Sequence, residues 1–231
     1  MKKCKHIFFD LDRTLWDFEV NSQLVLKQLI DEHELEQKCG ASQEDILNRY
    51  YLVNDDLWKR YRMSGISKEE LRSSRFSGTM SYFGYGNAEL GKVLEEEYIA
   101  RSPYQKNLLP HTLEALNYLK DNYQLHIITN GFKEVQYIKL ENCGLRSYFS
   151  KVIISEEVGY NKPDPGIFKA ALQQAEALAS ESAMIGDDLQ VDVVGAVKAG
   201  MYGIYYNPAG HPHEENLHAE ITTLKELIGI F

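Results

Sequence analysis

Short apolar runs bounded by polar residues or glycine recur along this chain and determine its predicted architecture. Each run is rich in β-branched or aromatic residues, which is typical of buried parallel strands. Five strands are predicted in this way: HIFF (6–9), LHIIT (125–129), VII (152–154), AMIG (183–186) and YGIYY (202–206). Helical patterns at 112–123, 165–179 and 191–201 separate the later strands. The alternation predicts an α/β fold, with a doubly wound, Rossmann-like parallel sheet.

The stretch from residue 17 to residue 105 has a different pattern. Its apolar residues recur at three- and four-residue spacing, and no strand-like alternation interrupts them. Ser42, Ser67 and Asn87 are candidate N-caps, and Glu70 completes a capping-box pattern with Ser67. We predict a core domain of residues 1–16 and 106–231 with an inserted all-helical cap domain, 17–105. The insert is either a lid over the end of the first strand or a domain of unrelated function.

Composition and charge exclude several classes of function. The chain has 231 residues and a net charge of −9, which disfavours binding to a nucleic-acid polymer. Its three cysteines form no CxxC motif and predict free thiols in a reducing cytoplasm. No apolar segment approaches the ~18 residues of a membrane span. We therefore expect a cytoplasmic protein that binds neither nucleic-acid polymers nor membranes.

Candidate chemistry follows four of the predicted strands. Ligands of an open parallel sheet bind at the carboxyl ends of its strands, so the residues at these positions matter most. Each motif alone is compatible with an ordinary turn, loop or cap. Four such motifs in register at strand ends indicate a functional site instead. They are Asp10-Leu11-Asp12-Arg13-Thr14, Thr129-Asn130-Gly131, Asn161-Lys162-Pro163-Asp164-Pro165, and Asp187-Asp188 followed by Asp192.

These residue types together suit phosphoryl transfer. Converging carboxylates of Asp10, Asp12 and Asp187 raise one another's pKa unless a cation lies among them, and hard oxygen ligands select Mg²⁺. Asp10 can then act as the nucleophile that forms an aspartyl-phosphate, and Asp12 as the general acid and base. The Thr129 hydroxyl can bind phosphoryl oxygens, and Lys162 can offset their charge.

The same motifs resemble those of a known superfamily. The DxDxT motif of Asp10, Asp12 and Thr14, then Thr129, Lys162 and Gly186-Asp187 with Asp192, resemble the four motifs of the haloacid dehalogenase (HAD) superfamily. A helical insert after the first motif is similar to the subfamily I cap. Longer strings resemble the pyrimidine 5′-nucleotidase branch of that superfamily: IITNGF (127–132), LENCGLRSYF (140–149), ISEEVGYNKPDPGIF (154–168) and LWKRYRMSGISKEELRSSRF (57–76).

The resemblance also implies a set of ligands. It implies Mg²⁺ held by the Asp10 carboxylate, the Asp12 backbone carbonyl and Asp187. Thr129 and Lys162 become phosphate ligands, with Asn130 supporting them. Three further residues are expected to support the site: Thr14; Asp192, which would orient Lys162 or a metal-bound water; and Asp188, whose role stays open.

The implied reaction is hydrolysis of a pyrimidine nucleoside 5′-monophosphate. One alternative substrate is a small phosphate such as phosphoglycolate or a sugar phosphate, and another alternative is an inactive HAD-fold binding protein. The hydrolytic dehalogenases of the superfamily lack the second aspartate and need no Mg²⁺, so the presence of Asp12 favours a phosphatase.

One residue of the insert is a candidate substrate contact. Arg75 lies within a predicted helix, and an arginine can pair with a base edge or a phosphate. The motifs as a whole imply a small phosphomonoester as the binding partner. We expect the protein to be a monomer or a homodimer.

Overall fold

A six-stranded, fully parallel sheet forms the centre of the α/β part of the chain. The computed structural model describes residues 3–231. The strands are β1 (His6–Phe9), β2 (Gln124–Thr129), β3 (Lys151–Ile154), β4 (Ser182–Gly186), β5 (Tyr202–Tyr206) and β6 (Ala219–Ile221). Their order is β3-β2-β1-β4-β5-β6, and every neighbouring pair is parallel. β1 therefore lies between β2 and β4, at the centre of the sheet.

Helices occupy the insertion, the connections between strands and the segment after β6. Those of the insertion are α1 (Phe18–Glu32), α2 (Leu35–Cys39), α3 (Gln43–Arg62), α4 (Lys68–Tyr82) and α5 (Ala88–Arg101). Those that follow are α6 (Thr112–Leu119), α7 (Lys133–Asn142), α8 (Ser155–Val158), α9 (Pro165–Gln174), α10 (Gly195–Lys198) and α11 (Leu227–Ile230), with a π-helix at Leu189–Val194 before α10.

The predicted α/β fold with a helical insertion is confirmed. All five predicted strands are present within one residue of their predicted bounds. The sixth strand, β6, is not predicted, because its AEI sequence is short and carries a charge. The helix predicted over 165–179 ends at Gln174, and the one over 112–123 ends at Leu119. The prediction over 191–201 is wrong in form, because that segment opens as the π-helix Leu189–Val194 and continues as α10.

The alternation of side chains along β1 divides the α/β core into two layers. Ile7 and Phe9 belong to the apolar cluster on one face of the sheet, and Phe8 belongs to the cluster on the other face. All three side chains are fully buried. Both faces of β1 are thus covered, as expected of a central parallel strand, and the strand gives Asp10 a rigid base.

The chain divides into two compact units. One joins Met1–Phe18 to Lys106–Phe231, and the other is Glu19–Gln105. In the helical unit the three predicted N-caps are confirmed: Ser42, Ser67 and Asn87 each accept a backbone hydrogen bond at a helix start. Ser67 and Glu70 form the complete capping box.

The helical unit has an apolar core of its own.

None of the helices described over residues 3–231 has the length and apolar character that a membrane span requires.

Candidate active site

The carboxyl ends of three adjacent strands bring the predicted residues together. Asp10 directly follows β1, Thr129 is the last residue of β2, and Asp187 directly follows β4. The Asp10 N–H donates to the Ile185 carbonyl at 2.9 Å, which extends the β1–β4 pairing to the site. Sheet register therefore fixes the position of these side chains, as expected where ligands bind an open parallel sheet.

Lys162 is the central cation of the site. Its Nζ donates to Asp10 Oδ1 at 2.5 Å and to the Ile128 carbonyl at 2.8 Å, and it lies 2.7 Å from Asp192 Oδ1. Only 1% of Lys162 is exposed. Burial works against its charge, but the two carboxylates outweigh burial and leave the pKa of Lys162 raised. The lysine is therefore a fixed positive charge beside Asp10.

Thr14 joins the first motif to the last one. Its hydroxyl donates to Asp187 Oδ1 at 3.0 Å and accepts from the Asp187 N–H at 3.1 Å. The threonine is fully buried, so this pair of hydrogen bonds fixes both the backbone and the carboxylate of Asp187. A supporting role for Thr14 in the chemistry of the site stays a prediction.

The carboxylates of the site carry more negative charge than Lys162 neutralises. Ligand oxygens of Asp10, Asp187 and Asp192 all lie within 4.8 Å of one another. Burial raises the pKa of Asp10 to about 7 against the opposing effect of Lys162. Burial and the neighbouring Asp10 and Asp192 charges hold the pKa of Asp187 well above its usual range. Buried hard oxygen donors with unbalanced charge are the donor set that suits Mg²⁺, and this group could hold a metal.

The Asp12 side chain is held by two side chains of α7. Its Oδ2 accepts from Gln136 Nε2 at 2.8 Å, and its Oδ1 is ion-paired with the Lys139 ammonium. Its side chain is 27% exposed, more than that of any of its partners. Asp10 and Asp12 therefore have different partners. Lys162 holds the first, and two side chains of α7 hold the second.

Comparisons with known proteins place this arrangement in a family. The family model for haloacid dehalogenase-like hydrolases matches residues 4–200. The chain belongs to this family. The matched span contains all the residues of the site, and the HAD resemblance stated from the sequence is confirmed.

Three proteins of the HAD family are similar to this chain over most of its length. The chain is 34% identical over 221 residues to pyrimidine 5′-nucleotidase PynA of Streptococcus pneumoniae, with 94% of this chain and 89% of that protein covered. It is 36% identical over 202 residues to pyrimidine 5′-nucleotidase YjjG of Escherichia coli, covering 87% and 85%. The crystal structure of the HAD-hydrolase YfnB of Bacillus subtilis, bound to magnesium, superposes with a TM-score of 0.89 at 26% identity, covering 99% and 98%.

The second HAD motif supports the loop that carries Lys162. The Asn130 side chain donates to the Lys162 carbonyl at 3.0 Å and accepts from its N–H at 2.7 Å. The Thr129 hydroxyl accepts from the Gly131 N–H at 3.0 Å, and a hydroxyl that accepts can still donate its own proton. Asn130 therefore acts on the backbone of Lys162, and Thr129 presents a hydroxyl at the strand end.

The two acids after Asp187 have separate positions. Asp188 caps the π-helix, because its side chain accepts from the N–H groups of Gln190 and Val191. Asp192 is 2% exposed, and its Oδ2 accepts from the Asp188 N–H at 3.1 Å while its Oδ1 faces Lys162. A Cβ at Gly186 would lie 2.3 Å from Asp192 Oδ2, so a glycine is needed at the end of β4 for this close approach.

Arg75 has partners inside the helical unit. Its guanidinium is 5% exposed, is ion-paired with Glu95, and lies 5.3 Å from the ring centroid of Tyr98. Glu95 is itself 4% exposed. The predicted contact with a substrate requires an accessible Arg75 guanidinium, whereas in this structure the guanidinium is buried and paired.

Gln136 and Lys139 do not stand out as site residues in the sequence. Both lie on the buried face of α7 that also carries Leu140, at helical spacing. Lysine is rarely buried without a partner, but the spacing along α7 does not show that Lys139 is buried or which side chain pairs with it.

Proposed function

We propose that the protein is a Mg²⁺-dependent phosphomonoesterase that forms an aspartyl-phosphate at Asp10, with pyrimidine nucleoside 5′-monophosphates as substrates. One observation carries the proposal. A buried aspartate paired with a buried lysine lies beside a second carboxylate, Asp187, and a third acid, Asp12, follows two residues later at the same strand end. This set matches the needs of phosphoryl transfer, where positioning and charge compensation supply most of the catalysis.

In the first half of the proposed reaction, an Asp10 carboxylate oxygen attacks phosphorus. The bond from phosphorus to the ester oxygen breaks, and the leaving oxygen takes a proton from Asp12. Lys162 and the Thr129 hydroxyl bind the phosphoryl oxygens. The products of this half-reaction are a free alcohol, the aspartyl-phosphate and an ionised Asp12.

In the second half, water attacks the phosphorus of the aspartyl-phosphate. Asp12 takes a proton from that water, the Asp10–phosphate bond breaks, and inorganic phosphate leaves. Both aspartates thereby return to their starting forms. Asp192 and Asn130 support both halves by holding the Lys162 side chain and backbone.

Asp10, Asp187 and the Asp12 backbone carbonyl would hold the Mg²⁺. When bound, the ion offsets the charge that the carboxylates and the phosphoryl group bring together. The magnesium found with YfnB supports this proposal.

The assignment of pyrimidine nucleoside 5′-monophosphates as substrates rests on the similarity to PynA and YjjG. The alternative is a phosphatase for a small phosphate, since relatives of this chain also include phosphatases of that kind. We also propose that residues 17–105 are a domain inserted into a core of 1–16 and 106–231, consistent with the two compact units.

A substrate panel tests the function. Purified protein with Mg²⁺ is assayed for phosphate release from dUMP, dTMP, UMP, sugar phosphates and phosphoglycolate. The proposal predicts the highest kcat/KM for the pyrimidine nucleotides. Higher values for a small phosphate would overturn the substrate assignment, and no release from any ester would overturn the phosphatase itself.

A further inference from the structure

The Asp12 carboxylate is held by both of its oxygens. Oδ2 accepts from the Gln136 amide at 2.8 Å, and Oδ1 pairs with the Lys139 ammonium. Both donors come from one helix, α7, and lie on the same face three residues apart. Gln136 is 1% exposed and Lys139 5%. A buried pair of donors three residues apart on one helix fixes both the place and the plane of the carboxylate.

Lys139 is itself fixed on its other side. Its Nζ lies 4.0 Å from the centroid of the Trp16 ring, and Trp16 is fully buried. The ring face attracts the ammonium and closes the space around it. The lysine therefore keeps one orientation between the tryptophan and Asp12.

The position of Gln136 leaves one of its buried polar atoms without a hydrogen bond. Its Oε1 is buried and has no hydrogen-bond partner among the described residues, 3–231. An unpaired buried carbonyl oxygen is unfavourable, and such a group in a native structure calls for a functional explanation. The side-chain amide leaves its oxygen without a hydrogen bond and directs its NH₂ group at Asp12.

The backbone beside Gln136 is adapted to the same contact. A Cβ at Gly131 would lie 1.4 Å from Gln136 Nε2. Any other residue at this position would push the amide away from Asp12. The glycine of the Thr129-Asn130-Gly131 motif therefore serves the Gln136–Asp12 hydrogen bond.

We propose that Gln136 and Lys139 are positioning residues that hold the Asp12 side chain where it exchanges its proton with the leaving oxygen and then with water. The inference rests on the proposed function, in which Asp12 carries that proton. In the proposed reaction neither residue binds the phosphoryl group. Their effect is greatest where proton delivery matters most, which is with a poor leaving group.

Two esters of the same shape measure this effect. Phenyl phosphate and p-nitrophenyl phosphate share one ring, but phenolate is the poorer leaving group and depends more on a positioned acid. The value of kcat/KM reports the steps through release of the phenol, so it isolates the first half-reaction. In Gln136→Glu and Lys139→Met we expect the ratio of kcat/KM, phenyl over p-nitrophenyl, to fall about tenfold.

A matched control lies on the same helix. Lys133 is exposed, and its Nζ lies 2.9 Å from Glu157 rather than near Asp12. Lys133→Met should leave the ratio at the wild-type value. Circular dichroism and thermal unfolding of each variant confirm that the compared proteins are folded.

A double-mutant cycle checks the route through Gln136. Gly131→Ala alone should lower the ratio, because the added methyl group displaces the amide. In the background of Gln136→Ala, the same Gly131→Ala change should have no further effect. Additive losses would show that Gly131 acts independently and would contradict the route.

The outcomes separate the inference from the function beneath it. If the wild-type protein hydrolyses neither ester with Mg²⁺, the proposed function fails. If the wild-type protein is active but the Gln136 and Lys139 variants lose both activities in equal proportion, or lose none, the inference alone is overturned. A selective loss on phenyl phosphate supports it.

Discussion

Lys162 is the residue on which the site depends for its charge balance. It is almost fully buried and faces Asp10, Asp192 and the Ile128 carbonyl. A buried ammonium is tolerated only with such partners, and their arrangement leaves it no alternative orientation. The lysine therefore offers a fixed cation where a phosphoryl group would add negative charge.

A single substitution at Asp12 tests the proton transfer at the residue scale. Asp12→Asn keeps the shape of the side chain but cannot carry a proton. We expect kcat to fall by roughly 10²–10⁴-fold, as measured by phosphate release under saturating substrate. Thermal unfolding serves as the control for folding. Activity within a few-fold of wild type would exclude Asp12 as the general acid and base.

Residues at strand ends were predictable because their position follows from the fold class. Asp10, Thr129 and Asp187 each stand where a parallel strand ends, so the sequence pattern alone places them together. Gln136 and Lys139 were not predictable in this way. Their role depends on which face of α7 packs toward Asp12, and no local pattern specifies that packing.

At the scale of elements, the β1–β2 pair carries a buried pair of histidines. His6 Nδ1 lies 3.2 Å from His126 Nε2, and the His126 ring stacks on Phe8 at 4.6 Å between centroids. His126 is fully buried. Burial lowers the pKa of His126 to about 4 and also lowers the pKa of His6. The pair is therefore accommodated in the sheet only while His126 is neutral.

This pair predicts a specific loss of stability in acid. Unfolded histidine takes up a proton near pH 6.5, whereas folded His126 does so only near pH 4, so the free energy of unfolding falls as the pH falls between these values. The contribution reaches on the order of 3 kcal/mol at pH 4. Urea unfolding of wild type and His126→Phe at several pH values measures it.

The wild-type slope against pH should be steeper than that of His126→Phe between pH 6.5 and 4. His211→Gln changes an exposed loop histidine and serves as the control for the loss of one histidine. Equal slopes in wild type and His126→Phe would refute the assignment.

Elements differed in how well the sequence predicted them. β1 to β5 are continuous apolar runs of the kind that buried parallel strands require, and they were found. The π-helix at Leu189–Val194 was not, because its form is tied to tertiary contacts: Asp188 caps it and Asp192 turns inward to Lys162. Local spacing cannot distinguish such a turn from an ordinary α-helix.

For the whole molecule, the net charge of −9 contrasts with an anionic substrate. Binding of a phosphomonoester therefore depends on local compensation, which Lys162 and a divalent cation would provide at the sheet edge. The predicted exclusion of nucleic-acid polymers follows from the same charge and stays a prediction, as does a monomer or homodimer in the cytoplasm.

The formation of an aspartyl-phosphate on Asp10 is the central claim, and trapping it tests that claim most directly. The protein is mixed with Mg²⁺ and a ³²P-labelled phosphomonoester that it turns over, quenched in acid during turnover, and its labelled peptide is mapped by mass spectrometry. We predict a hydroxylamine-sensitive phosphoryl group on Asp10, absent from Asp10→Asn. Continued turnover with no label on Asp10, or with the label on another residue, would contradict the account.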